Sequence, residues 1–158
     1  FPNRSFSVIW AIESVIYGLS KKAFLSEAYR LLKPNGRLIV TDAFLRRLPK
    51  SEKQKNALKD FKLGMSLPKI MTLNSFSQMA KIIGFTNIKT WDKTNEVKPS
   101  IARIHSLAAI GYPLAKAAAA LGFSSSIFVR NTLAGIAQQE LFSSSTLRYQ
   151  IFYAQKQN

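Results

Sequence analysis

Residues 6–42 constrain the fold more than any other stretch of the chain. Phe6-Ser-Val-Ile-Trp-Ala-Ile-Glu-Ser14 is a nearly continuous apolar run that ends in a carboxylate. A run of this length without polar alternation reads as a strand buried on both faces, as in the middle of a parallel sheet. Gly18 breaks the chain, and Ser20 is a helix N-cap residue. From Lys21 to Leu32 the pattern is amphipathic, with Phe24, Leu25, Ala28, Leu31 and Leu32 sharing one side. Lys33-Pro-Asn-Gly36 stops that helix, and Gly36 is expected to supply the positive φ of the turn. Arg37-Leu-Ile-Val-Thr-Asp42 is a second apolar strand, again ending in an acid. Strand, helix, tight turn and strand make a right-handed crossover, which sets the two strands parallel. Glu13 and Asp42 then fall at neighbouring strand ends on one rim, where open parallel sheets bind ligands.

The rest of the chain alternates helices and strands. Ser51–Met65 reads as a polar helix with a narrow stripe of Ala57, Leu58, Phe61 and Met65. Asn74 is expected to cap a second helix, in which Phe76, Met79, Ala80 and Ile83 follow helical spacing up to Gly84. Phe85–Asp92 is a strand. Val97–Ile110 and Leu114–Leu121 read as two helices separated by Gly111-Tyr112-Pro113, and Ser126–Phe142 as another. Leu147–Ala154 closes the chain as a strand, with Leu147, Tyr149, Ile151 and Tyr153 on one face.

Composition narrows the chemistry. At 158 residues and 47% hydrophobic content the chain suffices for one domain with a real core. It has no cysteine, which excludes disulfides, thiolate metal sites and cysteine nucleophiles. A reducing, cytoplasmic location is the expectation. With one histidine and no cysteine a zinc site is not expected, and Glu13 with Asp42 lacks a third acid for magnesium, so no metal is expected. Neither G-x-S-x-G nor G-x-G-x-x-G occurs. The net charge is +15, from 23 Lys and Arg against 8 Asp and Glu. The basic residues are scattered, without interleaved aromatics, so they read as solvated surface and not as a specific nucleic-acid site. Leu107–Phe123 is the most apolar region, but Pro113 and Lys116 interrupt it and make it a poor membrane span. The opening Phe-Pro-Asn-Arg has neither an initiator Met nor an apolar leader, which suggests a processed chain or a piece of a longer one.

The words Phe-Pro-Asn-Arg-Ser-Phe-Ser-Val-Ile-Trp-Ala-Ile-Glu-Ser and Phe-Leu-Ser-Glu-Ala-Tyr-Arg-Leu-Leu-Lys-Pro-Asn-Gly-Arg-Leu-Ile-Val-Thr-Asp resemble the second half of class I S-adenosylmethionine-dependent methyltransferases. They are closest to the small-molecule branch of tocopherol-type, sterol-type and sugar O-methyltransferases. The resemblance implies an α/β fold: strands 4 to 7 of a Rossmann-like seven-stranded sheet, within a single partial domain over 1–158. The cofactor-binding strands and their glycine-rich loop would be missing. Helical regions 50–76 and 97–142 would form a substrate lid within that domain. The fourth strand would be left with an apolar, unpaired edge, through which the isolated chain self-associates.

The same resemblance implies S-adenosylmethionine as cofactor and a small apolar, aromatic or prenyl acceptor. Ala11 and Ile12 would pass the cofactor through backbone contacts, and Glu13 and Asp42 would orient the acceptor. Asp42 would also assist proton removal, although a strand-end Asp equally caps a following turn. Glu13 in turn could be a plain solvated carboxylate. Relatives often carry histidines where this chain has Ile16 and Tyr17, and Asp where it has Ser7. Tyr17 can donate a hydrogen bond but is a weak base. His105, Phe61 and Tyr112 are candidate acceptor contacts in the lid; packing roles are the alternative for each. Phe61, Met65, Met71, Ile104, Tyr112 and Phe128 would line an apolar pocket or simply form core. A basic surface beside an apolar lid also allows loose membrane association. The competing reading is a non-catalytic methyltransferase-like module that binds a partner or nucleic acid through its basic surface.

Overall fold

The computed structural model describes all 158 residues. Its elements are β1 (Phe6–Ile12), a 3-10 turn (Val15–Tyr17), α1 (Lys21–Leu31), β2 (Leu32–Leu45), α2 (Glu52–Gly64), α3 (Leu73–Ile83), β3 (Phe85–Asp92), α4 (Thr94–Ala120), α5 (Ser126–Ser143) and β4 (Leu147–Lys156). The chain divides into two compact units. One is the sheet unit, Phe1–Leu45, Lys69–Lys93 and Arg148–Asn158; the other is helical, Arg46–Pro68 and Thr94–Leu147.

In the sheet unit the strand order is β1-β2-β4-β3. β1 and β2 are parallel, with Trp10 opposite Ile39 and Ile12 opposite Thr41, as the crossover requires. Gln155 and Asn158 at the end of β4 bond Asn35 near the start of β2, while Tyr149 near its start reaches Glu13. β4 therefore runs antiparallel to β1 and β2, and β3 is antiparallel to β4. Helices α1 and α3 cover one face. Phe76 of α3 anchors the core there, with the Phe44 ring at 5.5 Å and Phe152 at 5.0 Å. Ser20 caps α1 by accepting from Ala23 N, and Gly84 ends α3 in the left-handed region.

Several expectations need correcting. β1 is not buried on both faces: Ala11 points into the core, but Val8, Trp10 and Ile12 point to the uncovered side, Trp10 with 73% exposure. The run has no polar alternation because Trp10 and Ile12 are apolar on the open side as well, so its pattern mimics two-sided burial. Lys33–Gly36, expected as a turn, lies within β2; its left-handed residue is Asn35 at φ 60°, and Gly36 does not have a positive φ. Asn tolerates that region through its short polar side chain. Gly36 is needed for closeness: a Cβ there would stand 2.8 Å from the Lys33 carbonyl. The α3 cap is Thr72, which accepts from Ser75 N, and Asn74 lies inside the helix. On β4 the core side is Gln150, Phe152, Ala154 and Lys156; Tyr149, Ile151 and Tyr153 lie opposite, half-buried.

In the helical unit, α5 packs against both α2 and α4. α4 is one helix of 27 residues that runs through Gly111-Tyr112-Pro113 without a break. Pro113 removes one backbone donor, but its ring lies on the exposed side, so the packed side stays intact. Gly64 lets α2 approach α5: a Cβ there would overlap the Arg130 carbonyl and the Ala134 Cβ. The six residues read from the sequence as pocket lining or core are divided between the two units. Phe61 is buried, Ile104 and Phe128 are exposed, and Met71 belongs to the sheet unit.

Candidate functional site

Glu13, Tyr17, Asp42 and Tyr149 come together where β1 ends beside β2. Glu13 directly follows β1, and its backbone N donates to the Thr41 carbonyl at 2.9 Å. It sits at φ 47°, a conformation uncommon for a residue without a short polar side chain. Its carboxylate is exposed and accepts a 2.8 Å hydrogen bond at Oε1 from the Tyr149 hydroxyl. Burial, then the hydrogen bond and the charge of Glu13, push the Tyr149 phenol well above its ordinary value. Tyr17 is raised too, by burial first and then by Asp42 and Glu13. Both phenols stay protonated at neutral pH, so they act as donors and not as bases.

Asp42 is placed at the same rim but turned inward, with 2% exposure. Its Oδ2 accepts from Ile16 N at 2.8 Å and its Oδ1 from Ala43 N at 2.8 Å. Burial raises its carboxyl above the ordinary value; the two N–H donors and Lys21 oppose this, and Glu13 adds to it. Both Asp42 oxygens thus hold the 3-10 turn against β2, a role akin to the turn-capping alternative that the sequence left open beside proton removal. Lys21 completes the brace: its Nζ donates to the carbonyls of Ile16 at 2.9 Å and Gly18 at 2.5 Å. Burial lowers the Lys21 ammonium, and Asp42 offsets part of this. Val15, Ile16, Lys21, Asp42, Met71 and Phe76 surround a hollow here with room for no more than one water molecule. It is too small for a substrate.

The structure thus brings Glu13, Asp42 and Tyr17 to one rim, beside the ends of Ala11 and Ile12. Ala11 is buried and Ile12 exposed. Phe61, His105 and Tyr112 all belong to the helical unit. His105 and Tyr112 lie half-buried on α4 two turns apart, and the Lys116 ammonium stands 5.8 Å from the Tyr112 ring. Sequence reasoning missed Tyr149 and Lys21. Tyr149 lies 136 residues from its partner, and nothing local marks it. Lys21 had a signal, a lysine directly after an N-cap, where a cation opposes the helix dipole and needs another reason to be present.

No family model matches the chain. Over 103 residues it is 26% identical to phosphoethanolamine N-methyltransferase 3 of Arabidopsis thaliana, a match that takes in 65% of this chain and 20% of that protein. Over 104 residues it is 28% identical to the probable chloroplastic tocopherol O-methyltransferase of Oryza sativa subsp. japonica, covering 63% and 29%. The chain thus spans between 20% and 29% of the length of these curated relatives. In three dimensions it is similar to phosphoethanolamine N-methyltransferase 2 of Haemonchus contortus, solved with phosphomonomethylethanolamine and S-adenosylhomocysteine. The TM-score is 0.73 at 17% identity, over 100% of this chain and 35% of that one. In sequence and fold the chain resembles the C-terminal part of small-molecule methyltransferases dependent on S-adenosylmethionine.

Proposed function

We propose that this chain supplies one wall of the active site of an S-adenosylmethionine-dependent methyltransferase acting on a small molecule. The observation that carries the reading is the exposed Glu13 carboxylate at the rim of a parallel strand pair, held in a left-handed conformation and bonded to Tyr149. Such a rim is where ligands bind in this architecture, and strained backbone concentrates at functional sites. The residues present fit the cofactor in part: an exposed carboxylate suits a cationic sulfonium, and the backbone of Ala11 and Ile12 leads onto the same rim. When bound there, S-adenosylmethionine would offer the acceptor's nucleophile an electrophilic methyl group.

The protein's own share is alignment. Glu13 orients the acceptor or its charged group, and Tyr149 fixes the Glu13 rotamer by donating to Oε1. Asp42 and Lys21 hold the turn that follows, so the rim keeps its shape. His105 and Tyr112, both on α4, are the acceptor contacts proposed within the helical unit. Phe61, being buried within its own unit, packs. The acceptor is proposed to be apolar, aromatic or prenyl, as the tocopherol relative suggests; the phosphoethanolamine relative defines the alternative.

The test is transfer of a labelled methyl group by the protein containing this chain, to a prenylated phenol and to phosphoethanolamine in parallel. Glu13→Gln is expected to lower kcat/KM by about ten- to a hundredfold, and Tyr149→Phe by about two- to tenfold. Label transfer to neither acceptor class, together with no cofactor binding, would sink the reading. Transfer with full activity in Glu13→Gln would remove Glu13 from it.

A further inference from the structure

The α4–α5 hairpin has a surface that methyl transfer does not use. Between Glu96 and Glu140 the sequence holds no acidic residue, but it does hold Lys98, Arg103, Lys116 and Arg130. Leu107, Ile110, Leu114 and Ala117 on α4, with Leu121 just past its end, recur at steps of three and four residues, so they form one stripe. All five are exposed, and the buried residues Ile101 and Ala115 lie on the other side of the helix. The stripe runs into the turn at Gly122, whose φ of 78° folds the chain back. Phe123 is 85% exposed there and Leu121 71%, and the first turn of α5 adds exposed Ile127 and Phe128. Large apolar side chains scattered singly over a surface are ordinary, but a contiguous set at one tip marks an interaction site.

We propose that this tip docks on an anionic lipid bilayer. Leu121, Phe123, Ile127 and Phe128 enter the boundary between headgroups and acyl chains, while Lys116 and Arg130 meet the lipid phosphates. Charge selects this occupant. Between Glu96 and Glu140 every charged residue of the hairpin is basic, in a chain of net charge +15, which complements a negative leaflet. A second copy would bring the same basic stretch to the contact, so the two would repel where a negative leaflet attracts. No helix is long and apolar enough to cross a membrane, so the mode is interfacial.

The experiment is flotation of the full chain with vesicles of phosphatidylcholine alone, or with roughly a third phosphatidylglycerol. The expected result is binding to the anionic vesicles only, weakening as salt is raised. Leu121→Gln with Phe123→Ser should lower the apparent partition by about tenfold with unchanged far-UV circular dichroism, and Phe123→Leu should retain binding. Lys116→Gln with Arg130→Gln should also weaken it, whereas Lys55→Gln with Lys59→Gln, equal in charge but on α2, should not. Three outcomes overturn the proposal. One is a chain that stays unbound with both vesicles. Another is tip variants that bind as well as the parent, which leaves only general adsorption of a basic protein. The third is conversion of a dimer to a monomer by the tip pair in vesicle-free sedimentation, which assigns the surface to a second copy.

Discussion

Asp42 ties the 3-10 turn to β2 through one side chain, and its buried position makes it sensitive to both substitution and pH. Asn in its place keeps one acceptor but turns an amide toward a backbone donor, leaving a buried N–H unpaired. Asp42→Asn should cost about 1–3 kcal/mol in urea unfolding. The pH sign follows from the direction of the shift. Burial first, and Glu13 with it, hold the folded carboxyl above its ordinary value of 3.8. A group raised in this way favours the folded chain fully below the unfolded value, and that contribution is lost as pH rises through the folded value. The parent should therefore lose stability from about pH 4 upward relative to Asp42→Asn; a pH-independent difference between the two would refute this. At this scale the acids at the strand ends were legible in the sequence, since each closes an apolar run. Their division of labour was not. Whether a carboxylate faces outward, like Glu13, or inward, like Asp42, depends on which backbone donors the fold brings near, and Ile16 lies 26 residues from Asp42.

Among the elements, α2 and α5 meet over a glycine whose substitution gives opposite signs under two explanations. Gly to Ala inside a helix ordinarily stabilises by about 1 kcal/mol. At Gly64 the added methyl would overlap the Arg130 carbonyl and Ala134, so Gly64→Ala should instead destabilise by about 1–3 kcal/mol. Thermal unfolding followed by circular dichroism decides: a raised midpoint would mean that the two helices are not in close contact. Element boundaries were readable where one residue's chemistry ends a helix, as at Ser20 and Gly84. They were misread where tertiary packing overrides local preference. α4 continues through Gly111-Tyr112-Pro113 because its packed side, with Ile101 and Ala115, is unaffected by a ring on the outer side. Thr72 took the cap expected of Asn74, because the two lie two residues apart and both have capping side chains.

For the whole molecule, β1 is an edge strand whose outward residues are apolar, and the net charge is +15. These act against each other: an open apolar edge pairs with a second copy, and like charge keeps copies apart. Salt should therefore promote association of the chain at this edge, by screening the repulsion. Trp10→Lys should suppress it, which sedimentation velocity at low and high salt will show; a parent that stays monomeric in both would count against the edge. The parallel pair at the start of the chain was legible because a crossover of that length admits one handedness. The open side was not, since Trp10 and Ile12 read as buried residues would. Trp10 and Trp91 are the chain's two tryptophans. Both lie in the sheet unit, on strands at its opposite margins and substantially in contact with solvent. Intrinsic indole emission consequently reports on that half of the protein alone. Anything that settles over those rings should shift the emission to shorter wavelength without a label.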